Sequence, residues 1–189
     1  MKKKNMVLLA ALALLVGLVA YGTVAYFSGE AHVTNVITTG DVKIDLVETD
    51  ANGDPWPKDG MSGVMPGQSV VKKVQVDNVG SGDAWVRVMV DTAITAPDGT
   101  QLDDGVLSFD FDQNAWVAGE DGCYYYAVPL KADEITPALF TEVTFSTAMD
   151  NDYQGCTVNV TVYAQAVQVK NNPAPNGDVT QVVGWPART

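Results

Sequence analysis

The sequence has little of what most catalytic and metal sites are built from. Its 189 residues include one histidine, His32, and two cysteines, Cys123 and Cys156. One histidine excludes an HExxH zinc helix and any site that needs two imidazoles. A Ser-His-Asp triad would have to take His32 as its base, on a segment just past an apolar leader, where geometry is poorly held. A solvated strand residue is the plainer reading. Basic residues are also scarce, with 11 Lys and Arg against 23 Asp and Glu. Three of those lysines, Lys2, Lys3 and Lys4, stand in the first 26 residues, which hold no acid, so removing that stretch takes the net charge from −12 to −15. Such a surface repels nucleic acid and anionic lipid and keeps an exported protein in solution, so nucleic-acid binding is excluded.

What is present begins with the leader. A basic start, Met1 to Asn5, precedes an uncharged run from Met6 to Tyr21, and small residues follow at Gly22, Thr23 and Ala25. That order predicts a Sec-type signal helix over residues 1–26, with the cleavage zone at Ala25, Tyr26 and Phe27. Met6 to Phe27 is also long enough to span a bilayer, so an uncleaved anchor is the alternative. After cleavage, no contact with the membrane is expected. The absence of a sorting motif or second apolar span near Thr189 argues against covalent wall attachment.

Beyond the leader, alternation with period two dominates. Val42, Ile44 and Leu46 face one way, Lys43 and Asp45 the other. Val70 to Asn78 places Val74 and Val76 on one face. Ala84, Val86, Val88 and Val90 point inward, Trp85, Arg87, Met89 and Asp91 outward. Leu107–Phe111, a hairpin from Ala115 to Leu130 around Gly119–Gly122, and Glu142–Thr147 follow. The strongest pattern is the last, where Val158, Val160, Val162, Ala164 and Ala166 alternate with polar residues. About eight strands with turn chemistry between them, and no helix of 10–12 residues, predict an all-β antiparallel β-sandwich over residues 41–170. Residues 27–40 alternate only loosely, and the Pro/Asn/Gly-rich residues 171–189 predict a flexible C-terminal tail.

Several constellations invite a ligand reading. Asp50, Asn52 and Asp54 have the alternate-oxygen spacing of a calcium loop, but Pro55 stands where a glycine would turn the chain and Met61 where a bidentate Glu belongs. A solvated acidic loop is the simpler reading. Trp56, Trp85, Trp116 and Tyr124–Tyr126 could line a sugar platform, although aromatics on strands are more often core. Asn159-Val160-Thr161 fits a glycosylation sequon. In an oxidising compartment Cys123 and Cys156 are a candidate disulfide, with two buried unpaired thiols as the alternative. No cofactor is expected.

Two stretches near the start, Gly22-Thr23-Val24-Ala25-Tyr26-Phe27-Ser28 and Thr39-Gly40-Asp41-Val42-Lys43-Ile44-Asp45-Leu46, resemble the opening of TasA/camelysin-type proteins. Met65-Pro66-Gly67-Gln68-Ser69-Val70, then Val76-Asp77-Asn78-Val79-Gly80, is similar to a strand pair of that family, and Tyr153-Gln154-Gly155 with Val162–Ala166 to its closing strand. The resemblance implies a jelly-roll-like sandwich, exported with a signal cut by a SipW-type peptidase. It further implies residence at the cell surface or in the extracellular matrix of a Gram-positive bacterium. In fibre-forming relatives a freed N-terminal strand completes the next subunit's sheet. Carried onto this chain the donor is about Phe27 to Thr39, with Ala31, Val33 and Ile37 alternating along it. The implied function is a self-associating subunit of biofilm-matrix fibres or a surface layer, and not an enzyme. A camelysin-like surface metallopeptidase, which the family name implies, and a monomeric adhesin or carbohydrate-binding module are the alternatives. Tyr26, the cysteine pair and the Pro-rich tail depart from the family's pattern.

Overall fold

A computed structural model describes residues 27–30, 35–38, 42–57 and 61–187. The expected signal helix, and with it Ala25, Tyr26, Ala31, His32 and Val33, lies outside the described residues. Strands β1 (Phe27–Glu30), β2 (Asn35–Thr38), β3 (Ile44–Thr49), β4 (Met61–Val64), β5 (Ser69–Val71) and β6 (Lys73–Asn78) come first. They are followed by β7 (Ala84–Thr95), β8 (Gln101–Leu102), β9 (Leu107–Phe109) and β10 (Trp116–Ala118). The last three are β11 (Cys123–Tyr126), β12 (Glu142–Phe145) and β13 (Thr157–Gln168). Among the described residues the only helical turns are short 3-10 turns.

The long antiparallel pair β7–β13 is the spine, in register from Thr157 opposite Thr95 to Gln168 opposite Ala84. Outside β7 lie β11 and then β10, and β8 pairs with the far end of β7. The second layer is assembled from β3–β6 and β5–β12–β9. These two pieces are joined because residues 134–141 run beside the β5–β6 segment. Thr136 N donates to Val76 O at 2.9 Å, Leu139 N to Val74 O at 2.8 Å, and Lys72 N to Thr141 O at 3.0 Å. The all-β sandwich read from the sequence is therefore the observed fold.

Alternation explains how the layers meet. Val158, Val160, Val162, Ala164 and Ala166 of β13 and Ala84, Val86 and Val88 of β7 are buried in one cluster with Ile44, Leu46, Val74, Val76, Leu139, Phe140, Val143 and Phe145 of the opposite layer. Each Val, Leu, Ile or Phe side chain among them contributes roughly 1.5–3 kcal/mol when removed from water. The centre carries a ring cluster, with Phe140 edge-on to Phe109 at 5.0 Å and to Phe111 at 5.7 Å. Asn78 is the polar node of one end. Fully buried, it donates from Nδ2 to Gly82 O (2.9 Å) and Leu130 O (3.0 Å) and accepts Gly80 N–H (3.1 Å) at Oδ1.

Three expectations need correcting. The segment Val70–Asn78 is not one strand: it breaks at Lys72, which is in phase with Val74 and Val76 and is buried against Glu48. The face of β7 holding Trp85 and Met89 is not open to water; with Cys123, Tyr125, Val167, Val179 and Val182 these residues form a second buried cluster. The covering layer is the region expected to be a flexible tail. Val179, Val182 and Trp185 recur every three residues, and short 3-10 turns at Pro175–Gly177 and Val179–Gln181 aim them at the sheet. The Pro/Asn/Gly composition concealed that spacing. An apolar sheet face needs a cover, and the C-terminal strap supplies it.

Candidate functional site

The site that the fold singles out is the edge of β13 away from β7. Without β1 and β2 this edge would be a long row of unpaired backbone groups, the usual template for strand addition. Both strands run parallel to β13. Ser28, Gly29 and Glu30 stand opposite Thr157, Val158 and Asn159. Asn35, Val36, Ile37 and Thr38 stand opposite Tyr163, Ala164, Gln165 and Ala166. The register differs by one residue between the two stretches. Phe27 lies opposite Val64, because β4 pairs antiparallel with the outer side of β1. Of the candidate donor residues, Ile37 is thus on β2, whereas Ala31 and Val33 fall outside the described residues.

The inner residues of the acceptor strand are built into the core. Its outer face is clamped by the strap. Gln165 is 1 % exposed, accepts Arg87 Nε–H at 2.8 Å and donates to Pro186 O at 3.1 Å. The Arg87 guanidinium carbon lies 4.6 Å from the Trp185 ring centre and its Nη1 lies 3.2 Å from the Tyr125 hydroxyl. Tyr125 donates to Asp121 at 2.7 Å. Burial, reinforced by that bond, pushes the Tyr125 hydroxyl up to about 12. For Asp121, burial alone would raise the carboxyl. The bonds from Tyr125 and Cys123 and the Arg87 charge outweigh it and hold the group below the usual range.

The other candidates have structural occupations. Asp50 Oδ1 accepts Asn52 N–H at 2.8 Å and Asp54 N–H at 3.0 Å, which closes a turn between β3 and the Pro55 bridge to Thr49. The carboxylate oxygen expected to face calcium is therefore spent on the backbone. Trp116 is buried and donates to Pro137 O at 3.3 Å, Trp85 is buried and donates to Asn172 O at 2.7 Å, and Trp56 covers Lys72 Nζ at 4.7 Å. A recess of about 400 Å³ beside Trp116 is lined by Phe111 and Tyr124. Those two rings are stacked on each other at 4.2 Å, so no open aromatic platform is formed there.

The expected disulfide is not formed. Both cysteines are free and buried. Cys123 is opposite Met89 on β7, while Thr157, next to Cys156, is opposite Thr95. Six residues of strand correspond to about 20 Å, far beyond the roughly 7 Å that a bridge permits between Cα atoms. The thiols also belong to different clusters, Cys123 under the strap and Cys156 between the layers. Burial pushes the Cys123 thiol up to about 11, so it is a poor nucleophile and a poor metal ligand at neutral pH.

The family whose sequence profile matches is described as camelysin metallo-endopeptidase, and the match covers residues 1–117. No curated protein matches the chain. The family description implies a metal, and a catalytic zinc ordinarily takes three protein ligands and keeps one open position. Among the described residues no three His, Cys, Asp or Glu side chains come together in a group that could hold an ion. The single histidine lies outside them, and the two thiols are apart. The described donor set therefore does not fit a catalytic zinc. The match spans more than half of the chain and agrees with the motifs at Gly22–Ser28, Thr39–Leu46 and Met65–Gly80: the chain belongs to the camelysin family.

Proposed function

We propose that this chain is an exported structural subunit that associates with copies of itself by β-strand addition. The observation that carries the reading is the pairing of β1 with Thr157, Val158 and Asn159 of β13 and of β2 with Tyr163, Ala164, Gln165 and Ala166. The segment can act as a strand, and it reaches its place from outside the β7–β13 spine. A strand paired to a sheet through its main chain can be exchanged for the same strand of a neighbour, since the contacts are identical in both, although for β1 the exchange also breaks its pairing with β4. Head-to-tail exchange is a heterologous contact, which propagates as a filament where its rotation does not close a ring. On this reading a SipW-type peptidase cuts within Ala25–Phe27, and the mature protein works outside the cell, in matrix fibres or a surface layer.

The test is electron microscopy of the mature protein, with its N-terminus fixed by mass spectrometry, beside a form lacking residues 27–39. Filaments from the first and none from the second are expected. Filaments from the truncated form would overturn strand donation. The family description favours a second reading, a surface metallopeptidase. Metal analysis and casein cleavage with and without chelator separate the two, and chelator-sensitive cleavage by metal-loaded protein would establish the enzyme.

A further inference from the structure

Two of the four β13 residues that receive β2 also belong to the strap-covered face. Tyr163, opposite Asn35, packs against the second cluster, and Gln165, opposite Ile37, bonds to Pro186 O through its side chain. The strap is fixed at both ends of this stretch. At one end Trp85 donates to Asn172 O at 2.7 Å and Asn172 Nδ2 donates to Gln168 O at 2.9 Å. At the other, Trp185 closes its own turn onto Val182 O at 2.7 Å and lies over Arg87, which in turn holds Gln165. Val179 and Val182 fill the space between. The acceptor edge and the strap thus share one strand, and they share it at the same residues.

We propose that the C-terminal strap is a latch that keeps the N-terminal segment in its own sheet, so that loosening the strap releases β2 from β13. The proposal deepens the strand-addition reading, and its assembly consequence rests on that reading. The physical reason is local cooperativity. Segments of a fold open as units whose stability depends on the packing of the elements they touch. With the strap seated, Gln165 is tied on both its polar ends and Tyr163 is held in a packed cluster, so this part of β13 presents a fixed row of backbone groups to β2. With it removed, the Gln165 amide loses Pro186 O, Arg87 loses the Trp185 ring and keeps only Tyr125 beside it, and the face around Trp85, Met89 and Val167 meets water. β13 then moves more freely where β2 must pair. The core-facing residues Ala164 and Ala166 remain fully buried and keep the sandwich intact.

The experiment uses the chain from Phe27 onward, which contains every strand described above, and compares it with Trp185→Ala and with a form ending at Gly184. Amide hydrogen exchange is read at Asn35–Thr38 and, as a control, at Val74 and Val76. Exchange at 35–38 is expected to rise about tenfold in the variants, the scale of one or two net hydrogen bonds, with the control unchanged. Unchanged exchange at 35–38 would overturn the latch. So would an equal rise at all sites in both variants, since the strap would then be ordinary core. Assembly is scored separately: earlier filament growth by the variants agrees with the latch, and later growth contradicts it. If no form assembles, strand addition fails while the exchange result still decides the latch.

Discussion

Lys72 Nζ lies 2.8 Å from Glu48 Oε1, with the lysine side chain 2 % exposed and the glutamate 12 %. This ion pair ties the break between β5 and β6 to β3, and Trp56 roofs it with its ring centre 4.7 Å from the ammonium. Burial lowers the Lys72 pKa, and the Glu48 carboxylate only partly restores it. A buried pair of this kind costs nearly as much to desolvate as it returns, but removing one partner strands the other.

Lys72→Ala is therefore expected to destabilise the fold by about 3 kcal/mol, because Glu48 is left buried without its cation. Lys72→Met combined with Glu48→Leu should recover most of that loss by filling the same space with apolar atoms. Urea unfolding of the two variants checks this. A double variant no better than Lys72→Ala would mean that the pair itself, not the stranded charge, holds the β5–β6 break.

The Lys72 break also marks where the sequence stops being legible. Period-two alternation reports which residues face the core, and for β3, β6, β7 and β13 it did so, since Ile44, Val74, Val86 and Val160 are all inside. It could not report that Lys72, in the same phase, goes inward too, because its partner Glu48 is remote in sequence. Nor does alternation carry strand direction, so the parallel pairing of β1 and β2 with β13 was invisible. The strap was readable in principle. Trp85 and Met89 on an outward strand face call for a cover, and Val179, Val182 and Trp185 offer one at a spacing of three. The candidate site was legible only as the segment 27–39; its acceptor edge emerges from the register.

Acid should act through Asp110. Its carboxylate accepts Thr141 N–H at 2.8 Å and Glu142 N–H at 2.7 Å, and also the Thr141 hydroxyl, pinning the start of β12 beside β9. Burial alone would raise its pKa, but these bonds outweigh it and lower the pKa. A carboxyl lowered in the folded state contributes stability that is present above its unfolded pKa, about 3.9, and is lost as pH falls through the folded value. Asp110→Asn should therefore be less stable than wild type at pH 7, by under about 1 kcal/mol because the residue is exposed and screened. The gap should narrow from pH 7 downward and close at the acid end, once the wild-type Asp110 carboxyl has taken up its proton. Thermal midpoints measured between those limits check this, and a gap independent of pH would remove Asp110 from the acid response.

Asn78 offers the sharpest test of what the Asn78-Val79-Gly80 motif is for. Its amide makes three bonds from a site with no exposure, joining the end of β6 to Gly82 O and Leu130 O and to the Gly80 amide. Only a side chain with both a carbonyl and an NH₂ at this length can serve all three. Asn78→Ala should cost about 2 kcal/mol, since Gly82 O and Gly80 N–H lose this partner in a half-buried place while Leu130 O keeps only Ala84 N–H. Asn78→Asp keeps the acceptor for Gly80 but offers no donor to the two carbonyls and buries a carboxyl, so it should cost at least as much at pH 7. Lowering the pH should rescue Asn78→Asp in part, because a protonated carboxyl can donate to one of the two carbonyls, and should not rescue Asn78→Ala. Chemical denaturation of both variants at pH 7 and pH 5 measures the difference. Equal behaviour of the two at both pH values would show that the motif serves the turn backbone and not this three-bond node.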